Sequence, residues 1–156
     1  MAAVSEIRCT LEFRADETRQ SPGHLYGLLV TYEKRARTRP EMFRRGALEW
    51  ADDGLILNRM HNRGQPITSF SPELRGDEVW IDMMLPDTTA GRDAATEVRN
   101  RTLRGLSIEF GALKESRRNG LRVIERAELR GAGLVDSADY GNLVEVRSQH
   151  RRRLWL

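Results

Sequence analysis

A histidine and a serine in this 156-residue sequence have the types and positions that nucleophilic catalysis needs. His61 ends a predicted strand at 55–61 and precedes a predicted turn at 62–66; residues at strand ends beside loops often do chemistry. Ser107 lies two residues after Gly105. A serine hydroxyl is a poor nucleophile at neutral pH, and a nearby histidine can accept its proton as it attacks a carbonyl. A fold that brings these two side chains together would make a serine hydrolase.

The serine segment 103–110, LRGLSIEF, alternates apolar and polar residues as a half-buried strand does. Side chains alternate between the two faces of a strand, so Ser107 and Glu109 share one face. The glycine before the serine leaves room for a substrate backbone to approach. No strand-to-helix turn follows Ser107, which distinguishes the segment from the nucleophile elbow of α/β hydrolases. Taken alone, either residue is explained by an ordinary surface position, so the hydrolase hypothesis depends on the pair.

Cysteine and histidine usage argues against metal and disulfide chemistry. The one cysteine, Cys9, excludes an internal disulfide and a multi-cysteine zinc site. It falls on the apolar face of a predicted strand at 7–14, which indicates a small core residue. The three histidines are far apart in sequence (His24, His61 and His150). We therefore expect no metal and no cofactor.

The net charge of +3 and the pI of about 9.5 come from one end of the chain. Four of the 26 basic residues lie at 147–156, where there is no acidic residue, so residues 1–146 carry 22 basic and 23 acidic residues. We predict a near-neutral domain at 1–146 and a basic tail at 147–156. Aromatic residues make up only 6% of the chain and do not alternate with the basic ones. A nucleic-acid partner is therefore not expected.

The composition, 39% apolar and 31% charged, is typical of a soluble domain. No apolar run approaches the roughly 20 residues that cross a bilayer, and we expect no secretory signal and no membrane partner. Predicted strands lie at 7–14, 25–32, 55–61, 78–85, 106–110, 121–135 (one or two strands) and 143–146. A helix is predicted at 90–103, after side chains at 86–89 that can cap it, and a short helical turn at 40–48. These elements indicate a mostly β (α+β) fold, a small barrel or sandwich of six to eight strands with a few helices.

Five segments, in order, resemble the motifs of the prohead serine proteases of tailed bacteriophages, which are related in fold to the herpesvirus assemblins. They are GHLYGLLVTYE (23–33), RPEMFRRGALEW (39–50), LILNRMHNRGQPI (55–67), LRGLSIEF (103–110) and LRGAGLVDSADYG (129–141). The resemblance implies an assemblin-like β-barrel, with Ser107 as nucleophile and His61 as general base. It also implies that the substrates are scaffolding protein or the scaffold-like segment of the major capsid protein. The protease would work in the host cytoplasm inside the prohead, and self-cleavage and a homo-oligomer are compatible with this picture.

The third catalytic position departs from the family pattern, which has an acidic residue where this chain has Gly131. Glu109 is one candidate replacement, because it shares a face with Ser107 on the nucleophile strand. Glu128 is another, although strand parity points it to the opposite face unless a bulge intervenes. A third alternative is a Ser107–His61 dyad without an acid.

Further alternatives concern the oxyanion and the activity itself. The tetrahedral intermediate needs donors, for which Arg104 and Arg130 are available, although arginines on exposed strands are usually solvated. Ala138 stands where the family usually has proline, which leaves the shape of that loop open. One rival function is a non-catalytic scaffold or shell-binding protein that keeps the protease fold, and a second is a nucleic-acid-binding protein that uses its arginines.

Overall fold

The computed structural model describes residues 20–147, which form ten β-strands and one α-helix. The strands are β1 His24–Thr31, β2 Glu41–Phe43, β3 Leu48–Glu49, β4 Ile56–Arg59, β5 Asn62–Ser69, β6 Pro72–Arg75, β7 Glu78–Met84, β8 Gly105–Arg118, β9 Leu121–Val135 and β10 Val144–Arg147. Helix α1 is Thr89–Arg99. The predicted strand at 7–14, with Cys9, lies outside the described residues, as does the tail beyond Arg147. The mostly β prediction is confirmed.

The four-stranded sheet has the order β10-β1-β7-β6, and all of its pairings are antiparallel. Its central strand β1 is buried at Leu25, Leu28, Leu29 and Val30. Gly27 on this strand lets the second sheet approach closely, because a Cβ there would lie 2.6 Å from Leu106 Cδ1 of β8. The two sheets thus share one core between them.

The six-stranded sheet is organised around β9, a strand of 15 residues. On one side β9 pairs antiparallel with β8. On the other side it pairs in parallel with β2, β3 and β4 in succession, and β5 lies outside β4. The described strands do not close either sheet on itself, so the predicted barrel is not confirmed by their pairing.

Two local predictions are wrong. The short helical turn predicted at 40–48 is instead the strands β2 and β3, because their backbone pairs with β9. The turn predicted at 62–66 is part of β5, and the hairpin turn lies earlier, at Met60 and His61. Residues 20–147 contain ten strands, more than the six to eight predicted, and one helix.

Helix α1 begins as predicted and ends early. The Thr88 hydroxyl accepts a hydrogen bond from the Gly91 N–H at 3.0 Å, as an N-cap does. The helix ends at Arg99 rather than at 103, since Arg101 has a left-handed φ of 67° that a helix does not accommodate. Within residues 20–147, no helix has the length and apolar character to span a membrane.

Candidate active site

His61 lies in a tight turn that connects β4 to β5. Arg59 and Asn62 are partners across this hairpin, so Met60 and His61 are its two central residues. Both have positive φ, 50° and 58°, which is the conformation of a type I′ turn. Positive φ is uncommon for residues other than glycine, although asparagine, aspartate and histidine are enriched there, and such positions cluster at functional sites. The backbone at His61 is therefore held in an uncommon conformation.

The His61 ring lies directly over Gly133 of β9. A Cβ on Gly133 would stand 2.7 Å from both Cε1 and Nδ1 of the ring, which is too close for a real side chain. The glycine thus creates the space that the imidazole occupies. The His61 side chain is 39% exposed, so a substrate can reach the ring.

Ser107 of β8 is the residue opposite Gly133 in the antiparallel register. Opposite residues on neighbouring strands point to the same face, with Cβ atoms about 5 Å apart. Ser107 and the His61 ring therefore border the same glycine on the same face of the sheet. Within residues 20–147 no hydrogen bond joins the two side chains. Catalytic hydrogen bonds are often long in a free enzyme and shorten when substrate binds.

Glu109 contacts the histidine directly. Its Oε2 lies 2.9 Å from Nδ1 of His61, and its side chain is 27% exposed. With a hydrogen on Nδ1 the imidazole donates to the carboxylate, and Nε2 is then the nitrogen that can accept a proton. A serine, a histidine and an acid are the three groups of a catalytic triad, in which the acid orients the histidine and the histidine activates the serine hydroxyl.

Gly131 provides the space for the Glu109 carboxylate. Glu109 is opposite Gly131 in the register, and a Cβ on Gly131 would lie 3.0 Å from Glu109 Oε1. The acid is thus on β8, and the glycine that faces it is on β9. The alternation of the sequence correctly predicted that Ser107 and Glu109 share one face. It did not predict that Gly133 and Gly131 leave the space for the His61 ring and the Glu109 carboxylate.

Glu128 is on the same face but does not reach the histidine. Glu109 pairs with Gly131 and Phe110 pairs with Leu129, so Arg130 is an extra residue that forms a bulge in β9. This bulge reverses the strand parity, which is why Glu128 does not point to the opposite face. Its partner across the sheet is Gly111. Glu128 is exposed, and among the described residues Glu109 is the acid hydrogen-bonded to His61.

The two arginines considered as oxyanion donors have different surroundings. Nε of Arg104 donates to the Asp136 carbonyl at 3.0 Å. The Arg130 guanidinium lies across Gly111, where a Cβ would be 2.5 Å from its Cζ. Neither is hydrogen-bonded to Ser107 in the described part of the chain.

A cavity of about 790 Å³ opens beside the histidine and the acid. Its lining includes His61, Glu109 and the buried Asn58, which is only 6% exposed. Asn58 pairs with Gly133 across β4 and β9, so it lies on the same sheet row as Ser107. The sequence analysis missed Asn58, and only its polar character within an apolar strand could have indicated it. The cavity is large enough for side chains of an extended peptide.

A family model described as caudovirus prohead serine protease matches residues 9–148. Neither the comparison with curated proteins nor the comparison with solved structures found a match.

Proposed function

The chain belongs to the caudovirus prohead serine protease family, and we propose that it is a serine endopeptidase in which Ser107, His61 and Glu109 act together. The main support is the 2.9 Å contact between Glu109 and His61 on the sheet face that carries Ser107. Glu109 replaces in space the acid that the family has at the position of Gly131. This replacement also weakens the non-catalytic alternative, because that alternative depended on the missing acid.

The proposed reaction proceeds through an acyl-enzyme. Ser107 Oγ attacks the scissile carbonyl carbon while Nε2 of His61 takes the hydroxyl proton. His61 then gives this proton to the leaving amine as the C–N bond breaks. A water molecule, deprotonated by the same nitrogen, attacks the ester and releases the acid product and Ser107. Glu109 holds the imidazole in the required tautomer and stabilises its charged form.

We propose that the substrates are scaffolding protein or the scaffold-like segment of the major capsid protein, cut inside the prohead. In this proposal residues 1–146 form the protease domain, with the strands arranged as in the assemblin-like barrel, and residues 147–156 form a basic tail. Self-cleavage and self-association are further parts of it. Cleavage would make assembly irreversible, because the fragments leave and the shell cannot return to its earlier state.

A phosphonofluoridate probe tests the nucleophile directly. An activated serine displaces fluoride from the phosphorus, its proton leaves through the histidine, and the adduct adds a fixed mass. We expect peptide mass spectrometry to locate the adduct on Ser107. The His61→Ala variant should label at least about a hundredfold more slowly, since general-base catalysis contributes on that order. Labelling of another residue, or equal labelling of unfolded protein, would contradict the proposal.

Gly133→Ala tests the packing of the histidine on the sheet. The new methyl group must displace the His61 ring, because its place is 2.7 Å from two ring atoms. Misplacement of a catalytic group by about 1 Å can cost about a hundredfold in rate, and we expect a loss of this size in kcat. Gly64→Ala is the control, since its methyl group would meet only Oδ1 of Asn62, at 3.2 Å. A fully active Gly133→Ala variant would show that the ring does not work from this position.

A further inference from the structure

Positive charge dominates the cavity beside the histidine. Its lining includes three arginines, Arg39, Arg63 and Arg130, and one carboxylate, that of Glu109. The carboxylate is engaged by His61 at 2.9 Å. The cavity therefore offers cationic groups to a ligand and no free anionic group.

Arg39 already has a partner. It donates to Asp139 Oδ2 from Nη2 at 2.6 Å and from Nε at 3.2 Å. Burial alone would raise the pKa of Asp139, but hydrogen bonds from Thr38 and Arg39 lower it below its ordinary value. This arginine is thus committed to a stable ion pair within the protein.

Arg63 and Arg130 have no such partner in the described part of the chain. No hydrogen bond or ion pair joins either guanidinium to a carboxylate between residues 20 and 147, whereas Arg59 and Arg122, for example, are paired with Glu97 and Glu41. Arginine is less strongly hydrated than lysine, and its planar fork matches a carboxylate. Two free guanidinium groups in one cavity can together bind an anionic side chain.

The position of Arg130 depends on a bulge in β9 and on a glycine in β8. Arg130 is the extra residue of the β9 bulge, and bulges near active sites re-aim side chains. Its exposed guanidinium lies over Gly111, where a Cβ would be 2.5 Å from Cζ. Gly111 follows Glu109 on the same face of β8, four residues from Ser107. At about 3.4 Å per residue, this distance is about 14 Å, or roughly four residues of an extended peptide.

We propose that Arg63 and Arg130 form an acidic subsite, which selects substrates with Asp or Glu within about four residues of the scissile bond. The inference rests on the proposed protease activity and names its substrate class. The substrate carboxylate would accept charge-assisted hydrogen bonds from the two guanidinium groups. The same charge disfavours arginine-rich segments, including the chain's own residues 147–156.

The test begins with an unbiased peptide library. A tryptic digest of a proteome is incubated with the protease, and mass spectrometry identifies the new N-termini. The residues around each cleavage site then show at which positions Asp and Glu are enriched. Two synthetic peptides are then compared, which carry Glu or Gln at the most enriched position. We expect kcat/KM to be about tenfold higher for the Glu peptide at low salt, and the difference to shrink at high salt.

Arg130→Glu should reverse the preference. We expect this variant to lose about tenfold on the Glu peptide and to gain on a matched Lys peptide. Arg117→Glu makes the same charge change on an exposed part of β8 and should leave the preference as it is. Equal cleavage of the Glu and Gln peptides by the parent protein would contradict the acidic subsite but would still support the proposed protease activity. If the library and the phosphonofluoridate probe both stay unreacted, the protease proposal fails and the subsite with it.

Discussion

Replacing Ser107 with alanine is expected to abolish processing of a capsid protein that is co-expressed with the protease. In the proposed mechanism the Ser107 hydroxyl forms the acyl-enzyme, so its removal closes the covalent route. Removal of a nucleophile from a serine protease lowers kcat by about a thousandfold or more, and the residual rate comes from binding alone. The change is small and the side chain is only half-buried, so the fold should remain intact. Gel analysis of the capsid and scaffolding proteins should show only full-length chains.

Two comparisons make the Ser107→Ala result specific. Ser116→Ala removes a hydroxyl from the same strand, where the Ser116 Oγ is buried without a hydrogen-bond partner among the described residues. This control should process the capsid protein at the parent rate. The double variant Ser107→Ala/His61→Ala should be no slower than Ser107→Ala, since residues that act as a unit are not additive. Unchanged processing by Ser107→Ala would show that the assigned mechanism is wrong.

Glu109→Gln is expected to lower kcat by about a hundredfold or more, with little change in KM. The amide is nearly isosteric, but its N–H group can donate to Nδ1 of His61. The proton of the imidazole then resides on Nε2, which cannot accept the serine proton. In the proposed mechanism Glu109 acts through the histidine and is a positioning residue. A loss confined to kcat, measured on a peptide substrate, separates this role from one in substrate binding.

Glu128→Gln and Glu109→Asp are the matched comparisons for this residue. Glu128 is on the same face but exposed and away from the imidazole, so its amide variant should keep the parent kcat. Glu109→Asp keeps the charge and should recover part of the rate that Glu109→Gln loses. A loss of only a few-fold in Glu109→Gln would favour a Ser107–His61 dyad.

The sequence pattern predicted those parts of the site that depend on local alternation. Ser107 and Glu109 share a face because they are two residues apart on one strand, and the structure has them so. The position of His61 in the hairpin was not predicted, since a type I′ turn usually shows Asn-Gly or a similar pair and here contains Met60 and His61. These two residues adopt positive φ without the residues that normally signal it.

The remaining errors concern pairings between distant segments. Strands β2 and β3 are too short to show an alternation of apolar and polar residues. They form because their backbones pair with β9. The sequence allowed a bulge near Gly131 but could not establish one, and the bulge at Arg130 determines the face to which Glu128 points. Register and bulges are properties of two strands together, so one strand's residues cannot reveal them.

The facing positions of Glu109 and Gly131 have a consequence for substitutions at either one. A side chain at Gly131 would crowd the Glu109 carboxylate, because a Cβ there would lie 3.0 Å from Oε1. In the proposed mechanism, an acid on β9 at position 131 would compete with Glu109 for the space beside the imidazole. We therefore expect the effect of a substitution at position 131 to depend on the residue at position 109, so that the two changes are not additive.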